Sequence, residues 1–430
     1  MAEYVYKDYE REKVPESGLR SWWNITAVQF GYMFGSTALI WAMQFTKGFT
    51  FKQILITLIV GHFISFWIFY LNGMIGVKER MSTFYCARLS FGSLGSNLVG
   101  VLVAFAILGW MGAQVGATAL AVNAATGWNV TALNIIIGLC MTLTAVIGYK
   151  GISKLSNFSV PYFIVICVIG LFIAANKLGG FNALFAIQPK SPMPLVTGIT
   201  AVVGSIAVMG VTTPDISRYA RTNWDLGWAV GISCVIGHMV IPVAGVLMAM
   251  AVGSTNIGQV VFGLLGWWGV LMIVTAGWTT GDNNIYSSAL AMTAIIPKIP
   301  KWVLSLILGI IGTAAATAGI VNHLMSWLSL LSALAPPVFG VMQADYFILP
   351  MLGIERSLVM KEKKQFNLGA LIAWALGAYI ALHLKWGVVA INSIVSSIII
   401  YLVITVISVK AFGKTLSIGN IGNGSGKTEV

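Results

Sequence analysis

Of the chain's 430 residues, 58% are hydrophobic and only 9% are charged, whereas a soluble domain is roughly a quarter charged; a soluble enzyme is excluded. The net charge of +12 does not describe a nucleic-acid surface, because the basic residues sit between apolar runs and form no stripe with interleaved aromatics. Crossing a hydrocarbon core about 30 Å thick takes roughly 20 helical residues. The apolar residues gather into runs of that length, so the class is an all-α integral membrane protein.

Residues 1–20 are charged and lack an apolar h-region, so no cleavable signal is expected and the first span serves as its own insertion signal. Twelve apolar runs follow, at about 22–45, 53–76, 95–125, 131–149, 158–175, 195–217, 226–252, 263–293, 302–320, 324–350, 366–382 and 388–410. With the N-terminus in the cytoplasm, only Lys47, Lys52, Lys177, Lys190 and Lys385 fall outside, and the other 20 of the 25 Lys and Arg residues fall inside. That asymmetry is what the positive-inside rule asks for. Both termini are expected on the cytoplasmic side of the cell's cytoplasmic (inner) membrane. The chain divides into a cytoplasmic N-terminal segment (1–21), spans 1–5 (22–175), spans 6–10 (195–350), spans 11 and 12 (366–410) and a cytoplasmic tail (411–430). Residues 417–430 are rich in Gly, Asn and Ser and are expected to be unstructured. Cys86, Cys140, Cys167 and Cys234 show no CxxC pairing and read as small core residues.

Three spans are internally irregular. Span 1 carries Gly31-Tyr32-Met33-Phe34-Gly35-Ser36, and span 6 carries Met209-Gly210-Val211-Thr212-Thr213-Pro214; both are places where a helix can unwind. They lie five spans apart, and an odd spacing inverts the direction of crossing, so they match under a five-plus-five inverted repeat. A GxxxG packing face in one and a proline kink in the other is the alternative. In span 10, Ala335-Pro336-Pro337 must interrupt the backbone ladder and bend the helix.

Carbonyls freed by unwinding must line an enclosed cavity or coordinate something, and a cation is their natural partner. Span 8 supplies a polar face: Ala276, Thr279, Thr280, Asn283 and Asn284 recur at helical spacing. Hydroxyls there and carbonyls of span 1 are neutral, hard oxygen ligands of the kind Na⁺ takes; self-capping of the two threonines onto the preceding turn is the alternative. Span 3 places Trp110 and Gln114 one turn apart, an indole face beside an amide that both donates and accepts, which suits a planar amide-bearing ring. A core Trp and a helix-bridging Gln remain the other reading, and Asn283 or Asn284 offers a second amide. Asp215 is followed by Arg218 and Arg221 and reads as an ion pair at the cytoplasmic end of span 6. Asp282 lies off the ligand face, behind the site, with proton coupling left open. The four histidines share no HExxH or paired spacing, and no hydrolase or P-loop pattern is present.

The motifs Gly-Trp-Met-Gly-Ala-Gln at 109–114, Thr-Pro-Asp-Ile-Ser-Arg-Tyr at 213–219, Trp-Thr-Thr-Gly-Asp-Asn-Asn at 278–284 and Ser-Ala-Leu-Ala-Pro-Pro-Val-Phe-Gly-Val at 332–341, with Ala-Asp-Tyr at 344–346 and Ala87-Arg88-Leu89-Ser90-Phe91-Gly92, are in order along nearly the whole chain. Together they resemble the nucleobase-cation symport family of purine-cytosine permeases and hydantoin transporters. The resemblance implies twelve transmembrane helices in the leucine-transporter-type five-plus-five inverted repeat, with spans 1 and 6 unwound. It also implies inward transport of a nucleobase or related heterocycle with Na⁺ or H⁺. Carried over by position, the Na⁺ ligands fall on Gly31, Phe34, Ala276, Thr279 and Thr280. The substrate residues fall on Trp110, Gln114, Ser205 and Ile206, with Met209 and one of Asn283 or Asn284. The sequence departs from the family at Ile206, where members often carry an aromatic ring.

The expectation is a Na⁺ symporter for a planar nitrogenous ring (cytosine, another pyrimidine or purine, hydantoin or allantoin), working by alternating access. A proton-coupled nucleobase symporter or an amino-acid or amine carrier of the same fold are its rivals. No enzymatic activity, nucleic acid or obligate protein partner is expected; the partners are the bilayer and the substrate.

Overall fold

Helices begin where the sequence supplies a cap for their first free amides. Thr50 and Gln53 form a reciprocal capping box at the start of one helix, Thr222 and Asp225 at another, and Asn256 and Asn367 cap two more. Several end on a glycine in the left-handed region, at Gly127, Gly253 and Gly413, where a side chain would be strained. The computed structural model describes residues 9, 12–33, 37–147, 149–296, 298–356 and 358–420.

The first half of the chain comprises α1 (Trp22–Met33), α2 (Thr37–Met43), α3 (Phe51–Glu79), α4 (Thr83–Phe91), α5 (Asn97–Thr126), α6 (Val130–Ile147), α7 (Tyr149–Lys177) and α8 (Phe181–Leu184). The second half continues with α9 (Leu195–Val211), α10 (Pro214–Ser217), α11 (Asn223–Val230), a π-helical turn at Gly231–Gly237, α12 (His238–Val252), α13 (Ile257–Ile295) and α14 (Lys301–Thr317). It closes with α15 (Leu324–Leu334), α16 (Pro336–Gln343), α17 (Leu349–Met351), α18 (Leu358–Lys361), α19 (Leu368–His383) and α20 (Val389–Phe412). Among the described residues, 6 helical stretches are long and apolar enough to cross a membrane: Phe51–Glu79, Asn97–Thr126, Asn223–Val252, Ile257–Tyr286, Ile320–Met351 and Val389–Phe412. Shorter apolar helices lie on further predicted runs, at Val130–Val146, Pro161–Lys177, Leu195–Val211, Lys301–Thr317 and Leu368–His383. The run at 22–45 holds α1 and α2. Exposed tryptophans near helix ends, among them Trp23, Trp128, Trp268, Trp302 and Trp386, suit a membrane–water interface.

Two groups of helices pack mainly within themselves. In one, α13 lies along α5, and α14 packs on α5 and α6; in the other, α3 packs on α9, and α1 packs chiefly on α11 and the π-helical turn. The two largest apolar cores meet at α5. One holds Trp41, Phe45, Ala113 and Ala117, the other Val99, Ala106, Leu331 and Phe339, and Trp110 packs against both.

Three features refine the sequence expectations. The interruption of span 6 is shorter than 209–214, because α9 stays helical through Val211 and turns only at Thr212 and Thr213. Span 8 begins with a kink at Gly266, where φ is 56°. Span 10 is segmented as its prolines demand, with α15 ending at Leu334 and α16 starting at Pro336. One expectation is corrected: residues 417–420 are not structureless. They form β2 (Ser417–Asn420), antiparallel to β1 (Lys364–Asn367), with Phe366 opposite Ile418. Composition missed this because the tail finds its partner in the loop between spans 10 and 11: Glu362 accepts from the Thr415 amide and hydroxyl, and the carbonyl of Gln365 accepts from the amides of Leu94 and Gly95.

Candidate transport site

The site is built outward from α13. The Thr279 hydroxyl donates to the carbonyl of Thr275 at 3.0 Å, and the Thr280 hydroxyl to that of Ala276 at 2.9 Å. The self-capping reading of these threonines is therefore what the structure shows, and it does not compete with a cation. A hydroxyl whose proton points back along the helix turns lone pairs, not hydrogen, outward. Ala276 and Thr279 are buried and Thr280 is partly so. The oxygens remaining on this face, those of the two hydroxyls, are neutral and hard, and fit Na⁺ better than a transition metal; the Ala276 carbonyl is engaged by the Thr280 hydroxyl. Among the described residues no group of His, Cys, Asp or Glu could hold a metal ion. Of the span 1 ligands, Gly31 lies in the last turn of α1, and Phe34 lies outside the described residues.

About 100° around the same helix, a second face turns to α5. A Cβ at Gly277 would lie 2.3 Å from the Thr118 hydroxyl, so only glycine lets the two backbones come this close. Asn284 lies two turns further along that face. The structure separates the two asparagines: Asn283 is exposed and its amide donates to the Thr279 carbonyl at 3.0 Å, while the half-buried Asn284 has an Nδ2 with no hydrogen-bond partner. On α5, Gln114 is fully buried and Trp110 half-buried at the seam of the two cores. Trp110, Gln114 and Asn284 are thus carried by two helices in contact along their length.

Span 6 contributes differently from the expectation. The Ser205 hydroxyl donates to the Val202 carbonyl at 2.7 Å. Ile206 is buried in a separate cluster with Ile25, Phe69 and Cys234, and Met209 packs on the same cluster. The Ile206 and Met209 side chains face α1, α3 and the π-helical turn, and the position matched to a family aromatic carries an aliphatic side chain packed in that cluster.

The carboxylates are placed as follows. Asp282 is buried on the side of α13 away from Thr280 and accepts from the Thr144 hydroxyl of α6 at 2.6 Å, and that hydroxyl accepts from the Trp278 indole at 3.0 Å. Asp215 accepts from the Thr83 amide at 2.8 Å, while Arg218 reaches the Asp215 and Tyr9 carbonyls. That anchors the C-terminal end of span 6 to α4 and the N-terminal segment.

Two buried groups escaped the sequence reading. His62 and His238, 176 positions apart, share a hydrogen bond of 2.8 Å between Nε2 and Nδ1, and His62 Nδ1 is 2.7 Å from the Leu58 carbonyl. No spacing rule could have paired them. Asn72, fully buried in α3, donates to the carbonyls of Gly210 and Val211 at 3.2 and 2.6 Å. Its signal was present, since a lone amide within an apolar span must find a partner there.

The profile of a family described as permeases for cytosine/purines, uracil, thiamine and allantoin matches residues 13–404. The cytosine permease of Escherichia coli (strain K12) is 31% identical over 403 residues, covering 92% of this chain and 94% of that one. Among solved structures, Mhp1 in an inward-facing conformation superposes with a TM-score of 0.77 at 18% identity, covering 91% of this chain and 93% of its own. Mhp1 described as a nucleobase-cation-symport-1 family transporter, closed with bromovinylhydantoin bound, gives 0.70 at 18%, covering 94% and 96%. A Na⁺-coupled sialic acid symporter in a substrate-bound outward-open state gives 0.64 at 12%, covering 96% and 93%. These likenesses establish the fold, a mostly helical membrane transporter architecture, and the matched relatives are permeases, not enzymes.

Proposed function

We propose, for a chain that belongs to the nucleobase-cation symport family, that it carries a planar nucleobase or related heterocycle inward together with Na⁺, through twelve spans arranged as a five-plus-five inverted repeat. A multi-pass membrane transporter of nucleobase-like substrates is the class the family fixes; ion, ring and cycle are our reading. The observation that carries it is the polar stripe of α13 beside α5. Its Ala276, Thr279 and Thr280 are offered to a cation shared with the Gly31 and Phe34 region of span 1, and Asn284, one turn beyond Thr280 with an Nδ2 that has no hydrogen-bond partner, is carried alongside the helix that bears Trp110 and Gln114. A cation and a ring bound along one rigid helix each bias where that helix sits, which is how two ligands become coupled.

In this cycle Na⁺ bridges span 1 to span 8 and favours the outward-open arrangement; the ring then stacks on Trp110, takes amide hydrogen bonds from Gln114 and Asn284, and promotes occlusion. Opening inward releases both. Ser205, Ile206 and Met209 support the ring through the α9 backbone, since their side chains are engaged elsewhere. Cytosine is the first candidate because the cytosine permease relative covers nearly the whole chain; hydantoin, allantoin, purines and other pyrimidines complete the panel. Proton coupling is the second reading, and the buried Asp282 beside Thr144 is the observation that favours it.

The test is thermal stabilisation of the purified protein by each ring, with and without Na⁺. Stabilisation by a nucleobase that grows with Na⁺ is the expected result. Trp110→Ala should abolish stabilisation by the ring while the protein stays folded, and Thr280→Ala should remove the Na⁺ dependence. Full cation dependence in Thr280→Ala would place the cation elsewhere, and Na⁺-independent uptake driven by a pH gradient and lost in Asp282→Asn would establish the second reading.

A further inference from the structure

Pro214 has no amide hydrogen, so the Gly210 carbonyl four residues before it has no helical donor. The Val211 carbonyl loses its donor too, because the Asp215 amide turns to the Thr212 carbonyl at 3.0 Å. Inside a membrane such carbonyls must be satisfied within the protein. The Asn72 amide reaches both: its Nδ2 carries two hydrogens and lies 3.2 Å from the Gly210 carbonyl and 2.6 Å from that of Val211; the Thr213 hydroxyl also donates to Gly210 at 2.9 Å, so Val211 is the carbonyl at which Asn72 weighs most. Its Oδ1 has no hydrogen-bond partner, so donation alone holds a fully buried amide here. The contact around it is close. A Cβ at Gly76 would lie 2.3 Å from the Ser217 hydroxyl and 2.7 Å from the Pro214 Cα, and Ser217 donates to the Gly73 carbonyl at 2.9 Å. The segment Asn72-Gly73-Met74-Ile75-Gly76 is therefore a cradle for the break in span 6, whose peptide oxygens are shared between the Asn72 amide and the Thr213 hydroxyl.

We propose that Asn72 is a positioning residue for transport: its amide locks the break between α9 and α10 onto α3. The proposal builds on the transport reading above, but the bracing itself can be measured without any substrate. The Asn72 amide bonds go to the backbone of the helix that carries Ser205 and not to a candidate substrate side chain.

The experiment uses the full-length protein. Asn72→Leu keeps the volume and removes both donors; Asn72→Asp keeps the shape and donates only while its carboxyl is protonated. Hydrogen–deuterium exchange of amides 212–220 should be roughly tenfold or more faster in Asn72→Leu than in wild type, the effect expected from unpairing a buried carbonyl, with α19 and α20 unchanged. For Asn72→Asp, the ratio of variant to wild-type exchange should fall toward one as the pH is lowered. Cytosine uptake in proteoliposomes should show a lower Vmax at an unchanged KM for Asn72→Leu, with recovery of Asn72→Asp at acidic pH. Unchanged exchange over 212–220 in Asn72→Leu overturns the proposal, as does acceleration spread over the whole protein, or a raised KM at full Vmax, which would make Asn72 a substrate contact. If wild type moves no nucleobase while exchange still responds to Asn72, the transport reading fails and the bracing stands. If wild type transports and exchange does not respond, only the bracing falls.

Discussion

Spans 6 and 10 are both interrupted at proline and both leave carbonyls without helical donors, but the donors come from opposite sides of the molecule. In span 6 the Val211 carbonyl is taken by Asn72 of span 2, which shares that of Gly210 with the local Thr213 hydroxyl. In span 10 Pro336 deprives the Ser332 carbonyl of its donor, and the Val338 amide turns to Ala335 at 3.1 Å, which frees Leu334. The Ser393 hydroxyl of α20 reaches the Ser332 carbonyl at 3.3 Å, and the Trp374 indole of α19 reaches that of Leu334 at 2.9 Å. One break is braced from inside the bundle that holds span 1, the other by the last two spans. A broken helix in a membrane is therefore no guarantee of a ligand site: what decides is whether a neighbouring side chain has already claimed the freed oxygens. The face of α13 proposed for a cation differs because there the Thr279 and Thr280 hydroxyl protons are spent on the helix's own carbonyls and lone pairs remain.

The largest test of this comparison strikes where the two spans touch. A Cβ at Gly204 of α9 would lie 2.0 Å from the Leu328 carbonyl of α15, a clash with backbone that no rotamer relieves. Gly204→Ala should cost several kcal/mol, at the upper end of about 1–3 kcal/mol for overpacking or beyond it, and be read as a loss of folded protein by size exclusion. A well-folded, fully active Gly204→Ala protein would mean that spans 6 and 10 do not meet there. Next in size, Trp374→Phe keeps most of the ring and removes one donor to a freed carbonyl; thermal unfolding should report a loss of about 1–3 kcal/mol, with substrate KM unchanged. Pro214→Ala sharpens the contrast, since it returns an amide hydrogen to the Gly210 carbonyl. In that background Asn72→Leu should do less harm, with a coupling of about 1 kcal/mol; additive effects would show that Asn72 does not act through that carbonyl. Smallest is Ser393→Ala, because the bond is long and the hydroxyl also donates to Ala390 at 2.8 Å. A loss under about 0.5 kcal/mol is expected, and a larger one would move the weight of the span 10 brace from Trp374 to Ser393.

The candidate site was legible in part. Thr279, Thr280 and Ala276 stand on one face of α13 as their spacing requires, and Trp110 and Gln114 share a side of α5, because helical periodicity is a local property. Choosing between Asn283 and Asn284 was not possible from spacing; it depended on which amide the backbone of α13 had engaged. Ile206 could be matched to a family position but not aimed, since its direction is set by Ile25 and Phe69 from helices far off in sequence. The tail at 417–420 looked structureless because a strand of four residues carries no signal apart from its partner.

Alone, the sequence determined that this chain lives in a membrane, roughly where it crosses, which family it belongs to, and where its helices must break, because hydropathy, charge asymmetry and the missing amide of proline act within a few neighbouring residues. Tertiary structure alone decided which distant side chains reach those breaks and buried groups: Asn72 for Val211, with a share of Gly210 beside the local Thr213 hydroxyl, Trp374 and Ser393 for span 10, and His238 for His62. A buried polar group in hydrocarbon must find a partner, but which partner depends on helices packed side by side, and that adjacency is written in no single stretch of the chain.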